Sequence, residues 1–126
     1  MTAEIRVIVT QYYDRKLNKM KHKARPGLIL KEINGDYAVI PVSTIPDKRR
    51  VDPYYDIPVT TRDYPKLNLS QDSYIRTNKQ TVVNQAQIGG KISDLHAEYP
   101  DLFSQVIDKI EEFNDSIIKE LRDRLT

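Results

Sequence analysis

The chain changes its hydrophobic rhythm once, near its C-terminal end. Before that point apolar residues come in short runs rich in β-branched and aromatic side chains, the mark of strands. Residues 4–13, Glu-Ile-Arg-Val-Ile-Val-Thr-Gln-Tyr-Tyr, are the first such run. Residues 14–24 are densely charged and predict a mobile basic loop. Gly27–Ile33 and Asp36–Val42 predict two more strands, joined by Asn34-Gly35. That dipeptide is the strongest short hairpin signal, because both central residues of a type I′ turn need positive φ. Pro46 to Pro65 is punctuated by proline and predicts loops or a sheet edge, with a short strand near Asp56–Thr60. Ser73–Thr77 and Thr81–Ile88 predict the last strands, with Gly89-Gly90 read as a turn.

The rhythm then becomes helical. Pro100 suits a first helical turn, where its missing N–H costs nothing. Leu102, Phe103, Val106, Ile107, Ile110, Phe113, Ile117, Ile118 and Leu121 follow at amphipathic spacing, so a helix is expected over about residues 100–124. Its stripe is either core or a dimer contact. Strands over about residues 4–92, spaced too closely for crossovers, followed by one long helix, predict a single antiparallel α+β domain spanning residues 1–126.

Composition narrows the chemistry. With 126 residues, one domain with a real core is expected. Zero cysteines remove disulfides, thiolate metal sites and a thiol nucleophile, and His22 and His96 are too few for a histidine-rich metal site. No cofactor and no metal are therefore expected. No apolar run reaches membrane-spanning length and the N-terminus has no signal pattern, so the expected location is cytoplasmic, away from membranes. The net charge of +2 hides an asymmetry. Residues 93–126 hold nine acids against four bases, net −5, which leaves +7 on residues 1–92. Arg15, Lys16, Lys19, Lys21, Lys23 and Arg25 cluster around one acid, Asp14, and Lys48-Arg49-Arg50 form a second cluster. Each cluster alone is an ordinary solvated run, but two in a small β-rich body point to a polyanionic partner.

No phosphate-cradling glycine loop and no zinc-protease motif occurs. Pro26 holds Arg25 extended at the end of the basic segment. Counting outward from Asn34-Gly35 without a bulge pairs Arg25 with Thr44 and Pro26 with Ser43. A guanidinium beside two hydroxyls is either a phosphodiester cradle or a hairpin end with a surface ion pair.

Arg25-Pro26-Gly27-Leu28-Ile29-Leu30, Ala38-Val39-Ile40-Pro41-Val42-Ser43-Thr44, Asp72-Ser73-Tyr74-Ile75 and Ile88-Gly89-Gly90-Lys91-Ile92-Ser93-Asp94-Leu95, followed by a terminal helix, occur in that order. In motifs and order, from about residue 24 onward, the chain resembles the PemK/MazF-like toxins of bacterial toxin–antitoxin systems. The resemblance implies an SH3-like barrel with a C-terminal helix, a homodimer, and a cognate antitoxin that neutralises it. It implies a metal-independent, sequence-specific endoribonuclease in which the 2′-OH of single-stranded RNA attacks its own phosphodiester. Arg25 matches the catalytic arginine and Ser43 the catalytic threonine, with Thr44 as neighbour and substitute. Lys21, Lys23, Arg49, Lys79 and Gln80 are the candidate RNA contacts. Where the family carries [DE]-Q-[apolar]-R, this chain has Asn78-Lys79-Gln80-Thr81. The alternatives are a catalytically impaired RNA- or protein-binding module on the same barrel, or a toxin directed at a protein.

Overall fold

The computed structural model describes residues Met1–Thr126 and places seven strands ahead of two helices. The strands are β1 (Glu4–Asp14), β2 (Lys19–Ile33), β3 (Asp36–Ser43), β4 (Asp56–Val59), β5 (Ser73–Arg76), β6 (Thr81–Asn84) and β7 (Ile88–Asp94). They form one antiparallel sheet in the order β4-β5-β3-β2-β1-β7, with β6 also paired to β3. One edge of β3 serves two partners: Asp36–Val39 pairs with β6, whereas Val42 and Ser43 pair with β5. Splitting an edge in this way, together with the inherent twist of strands, curls the sheet into a half-barrel. Helices α1 (Leu95–Glu98) and α2 (Pro100–Asp123) follow. The α+β class and the terminal helix match the sequence pattern. No helix is long and apolar enough to cross a membrane.

Alternation along β2 and β3 gives the sheet two apolar faces. Leu28, Ile40, Val42, Ile75 and Ile5 point to one side and are sealed there by Leu95, Leu102 and Val106 of the helices. Ile8, Ile29, Tyr37, Val39 and Val83 pack on the other side. Burying two faces explains why the central strands read as continuous apolar runs. The Asn34-Gly35 turn forms as expected, with φ of 50° and 89°. The proline-rich stretch supplies β4, which lies at the sheet edge as expected.

Four expectations are corrected. Residues 14–24 are not a basic loop: β1 runs to Asp14 and β2 starts at Lys19, so a two-stranded ribbon leaves the body. Its outer part has no apolar layer behind it, so no buried face marks it as strand. The segment 81–88 is not one strand, because β6 ends at Asn84. Asn84 and Gln87 then form a reciprocal cap on a 3-10 turn at Gln85–Gln87. Gly89-Gly90 is not a turn but lies inside β7. A Cβ on Gly89 would stand 3.2 Å from Val7 Cβ and 3.3 Å from Val7 O, so the glycine lets β7 approach β1 closely. Finally, the hairpin register slips between Ile29 and Lys31, so Leu30 is a bulge. Beyond it Gly27 faces Pro41, and the same offset puts Arg25 opposite Ser43, not Thr44.

Candidate functional site

The slip at Leu30 decides which side chains meet. A one-residue shift moves a whole strand segment to the other face. It brings Arg25 and Ser43 to the same face, the face that carries Ile8 and Ile29. Gly27 lies between Arg25 and Ile29 on that face of β2, and a Cβ there would meet Ile8 Cγ1 at 2.7 Å. The absent side chain therefore lets Ile8 fold over β2 next to Arg25.

Arg25, Ser43 and Thr44 line one cavity of about 400 Å³, together with Arg50, Arg76 and one acid, Asp47. The sequence-based candidates for the reacting centre are thus brought together, and two further guanidiniums join them. Arg76 is fixed by Asp56, whose carboxylate accepts from Arg76 Nε at 3.2 Å and from the Asp52 N–H at 2.7 Å. The Asp56 side chain is 0% exposed, so it serves as a buried anchor for a cation that reaches the cavity. A second Arg76 nitrogen donates to the Arg50 carbonyl at 3.3 Å and ties the 3-10 turn at Lys48–Arg50 to β5. Strand β3 runs out at Ser43, and Ile45 just beyond it has φ of 42°. That is an uncommon conformation for a β-branched residue, and it reverses the chain at the cavity wall.

The other candidates distribute differently. Lys23 lines an adjoining cavity of about 270 Å³ that shares Arg25 and Thr44 with the first. Lys21 lies farther out on the ribbon and pairs with Asp14 at 3.2 Å. Arg49 does not itself line the first cavity; its side chain is 91% exposed and pairs with Asp47, which does. That guanidinium holds the Asp47 carboxyl below the usual carboxylate range. Lys79 and Gln80 stand in the β5–β6 connection and line none of these cavities. Beside them Asn78 Nδ2 lies 3.5 Å from Asp52 Oδ2. The N–H groups of Tyr55 and Tyr54 depress the Asp52 carboxyl. An acid at position 78 would stand against that charge, so a neutral side chain fits there.

A third depression of about 140 Å³ is walled by Ile8, Pro26, Gly27, Val39, Pro41 and Val83, with Arg25 at its rim. It shares Thr10, Thr81 and Val83 with an open trough that also contains Gln11, His22 and Gln87. The depressions therefore adjoin one another in a path that draws on side chains from both faces of β2, with Arg25 common to three of them. His96 lies off this path, stacked on Phe103 at 5.0 Å. No three His, Cys, Asp or Glu side chains converge as a metal-binding group. The arrangement can hold an anion among three guanidiniums and two hydroxyls, since the one carboxylate on the wall, Asp47, is neutralised by Arg49, and it offers an apolar slot next to that anion.

Sequence reading missed Arg76 and singled out Arg50 only as part of a charge cluster. The available signal for Arg76 was strand alternation, since Ser73 and Ile75 are buried and Arg76 is not. No protein-family description matches the chain, and no curated protein is significantly similar to it.

Proposed function

We propose that the chain is a metal-independent endoribonuclease of the PemK/MazF-like toxin type, acting on single-stranded RNA. The observation that carries this reading is the convergence of Arg25, Ser43 and Thr44 on one cavity with Arg50 and Arg76. The scissile phosphate sits in that cavity. The adjacent 2′-OH attacks phosphorus and loses its proton, the bond to the 5′-oxygen breaks, and that oxygen gains a proton. The products are a 2′,3′-cyclic phosphate and a 5′-OH. Guanidiniums stay charged near neutrality, so Arg25 stabilises the extra negative charge of the phosphorane rather than moving a proton. Ser43 donates its hydroxyl to a phosphate oxygen and Thr44 flanks it. Arg76, held by Asp56, is the second cation at the phosphate. The apolar slot beside Arg25 takes a base or ribose of the same strand.

On this reading the half-barrel is an SH3-like barrel, the active form is a cytoplasmic homodimer, and a cognate antitoxin covers Arg25 with an acidic segment. The test incubates purified protein with a long natural RNA in EDTA and maps new 5′ ends, with Arg25→Ala in parallel. Cuts at one short motif, lost in the variant, are expected. Uncut RNA with both proteins removes the nuclease reading.

One observation favours a second reading. The one carboxylate lining the cavity, Asp47, is engaged by Arg49 at both of its oxygens, and no histidine, glutamate or lysine lines the cavity to take the 2′-OH proton. A module that binds RNA without cutting it would retain RNA in the same assay and leave it intact.

A further inference from the structure

We infer that one face of the β1–β2 ribbon is a phosphate ladder: Arg25, Lys23, Lys21 and Lys19 take successive phosphates of a single RNA strand leading away from the cavity. The inference rests on the RNA reading of that cavity and adds where the rest of the strand runs.

The register carries it. Ile8 faces Arg25, Thr10 faces Lys23, Tyr12 faces Lys21 and Asp14 faces Lys19, with no slip along the ribbon. Alternate residues of a strand share a face, so the four cations form one file beginning at the cavity. Two contacts confirm that they share it. Lys23 Nζ stands 5.0 Å from the centre of the Tyr12 ring, and Lys21 Nζ stands 3.2 Å from Asp14 Oδ2. Both are diagonal cross-strand pairs on one face. Steps of two residues along a strand are about 6.6–6.8 Å, close to the spacing of successive phosphates in an extended single strand.

The partner is a single strand rather than a duplex for two reasons. The file is one residue wide and fits one backbone. Tyr12 stands beside the file on the same face of β1, 37% exposed, and a ring can stack only on a base that is unstacked from its neighbours. The opposite face of the ribbon, with Gln11, His22, Tyr13 and Met20, carries no comparable row of cations. The acid beside the file, on β1, is Asp14. Its Oδ1 accepts the N–H groups of Lys16 and Leu17 and so closes the ribbon tip, while Oδ2 engages Lys21. Asp14 therefore competes with RNA for Lys21.

The test uses a mixed-sequence single-stranded oligonucleotide with every 2′-OH methylated. It cannot be cut, so binding is read independently of cleavage. Affinity is measured against salt. Each backbone contact on a single strand contributes about 0.7 to the slope of log K against log salt. Lys19→Gln, Lys21→Gln and Lys23→Gln should each lower the slope by about that amount, and the triple variant by about 2. Lys119→Gln, on the far end of α2, makes the same charge change off the ladder and should leave the slope alone. Asp14→Asn keeps the oxygen that closes the tip but frees Lys21, so it should bind more tightly than the unaltered protein. The ladder is overturned if Lys119→Gln lowers the slope as much as the ladder variants do, if the ladder variants leave it unchanged, or if Asp14→Asn weakens binding. Binding of an acidic peptide through the same lysines with none of the oligonucleotide also overturns it, in favour of a protein partner. Natural RNA cut by a protein whose slopes do not move rejects the ladder and keeps the nuclease. Slopes that move while natural RNA stays whole reject the nuclease and keep the ladder.

Discussion

Asp56 shows how one buried residue links stability to the candidate site. Its side chain has 0% exposure and meets Arg76 Nε at 3.2 Å, while Arg76 reaches out to the cavity with 21% exposure. Removing a buried partner strands the opposite charge, at a cost of ~3–5 kcal/mol, far more than a surface pair is worth. Asp56→Ala should therefore lower the urea midpoint sharply, whereas Asp47→Ala, which loses only the exposed Arg49 pair, should barely move it. Equal and small shifts would show that Asp56 does not act as an anchor. Gly27 is the second such position. A Cβ there would stand 2.7 Å from Ile8 Cγ1, and Ile8 is itself packed among Ile29, Val39 and Val83. Overpacking of this kind costs about 1–3 kcal/mol. Gly27→Ala should lose that much in denaturant unfolding, and in a double variant with Ile8→Ala, which removes Cγ1, the combined loss should be smaller than the sum of the two single losses. Neither residue's role can be read locally. Asp56 and Arg76 are 20 residues apart, and the crowding at Gly27 comes from the facing strand.

Among the elements, the helix and the ribbon are each used along only part of their length. In α2 the buried residues are Leu102 and Val106, and Phe113 still touches Tyr55 at 5.1 Å between rings. Beyond it Ile117, Ile118 and Leu121 are 41%, 48% and 60% exposed. Ending the chain after Ser116 should leave thermal unfolding of the monomer within a few degrees of the intact protein. Val106→Ala should cost about 2 kcal/mol or more, because it opens a cavity in the main core. A truncated protein that fails to fold would show that the outer turns hold the body. The helix was legible from its sequence because its apolar period continues through turns that nothing covers. The hairpin turn was legible because Asn34-Gly35 specifies it within two residues. The outer ribbon was not: Lys19-Met20-Lys21-His22-Lys23-Ala24 has no buried side to impose alternation, and its pairing depends on the facing strand. The Leu30 bulge was hidden for a related reason, since a slip in register leaves no mark in composition. The cavity's makeup was legible at Arg25, Ser43 and Thr44, and the bulge then determined that Ser43 faces Arg25.

Over the whole molecule, polar seams supplement the two apolar faces. Glu4 of β1 bonds to Arg6 of the same strand at 2.8 Å and pairs with Lys91 of the neighbouring edge strand β7 at 3.4 Å. Its carboxyl is held below the usual range chiefly by Arg6. Asp52 is held low by the Tyr55 and Tyr54 N–H groups, which fold the segment leading into β4. Asp14 is held low chiefly by the Leu17 N–H at the ribbon tip, and Asp47 by Arg49. All four shifts share a sign. A carboxyl whose folded pKa lies below its unfolded value releases its proton more readily in the folded state. It therefore adds stability above the unfolded pKa, about 4, and that stability fades as pH falls through the folded value. Urea midpoints should be flat across this part of the titration from about pH 5 upward and fall below about pH 4. Asp52→Asn should start lower at neutral pH and show a shallower acid fall, because its contribution has already been removed. A midpoint that rises on acidification would contradict the assigned signs. Acid also makes the terminal helix less negative while the ribbon stays positive, so the molecule's overall charge rises as these seams weaken. Self-repulsion then adds to the loss of the carboxylate contacts. High salt should soften that repulsion but leave the backbone bonds to Asp52 largely intact. The acid fall should therefore shrink in salt without disappearing, and Asp52→Asn should remove part of the portion that salt does not, the backbone bonds to Asp14 keeping another part.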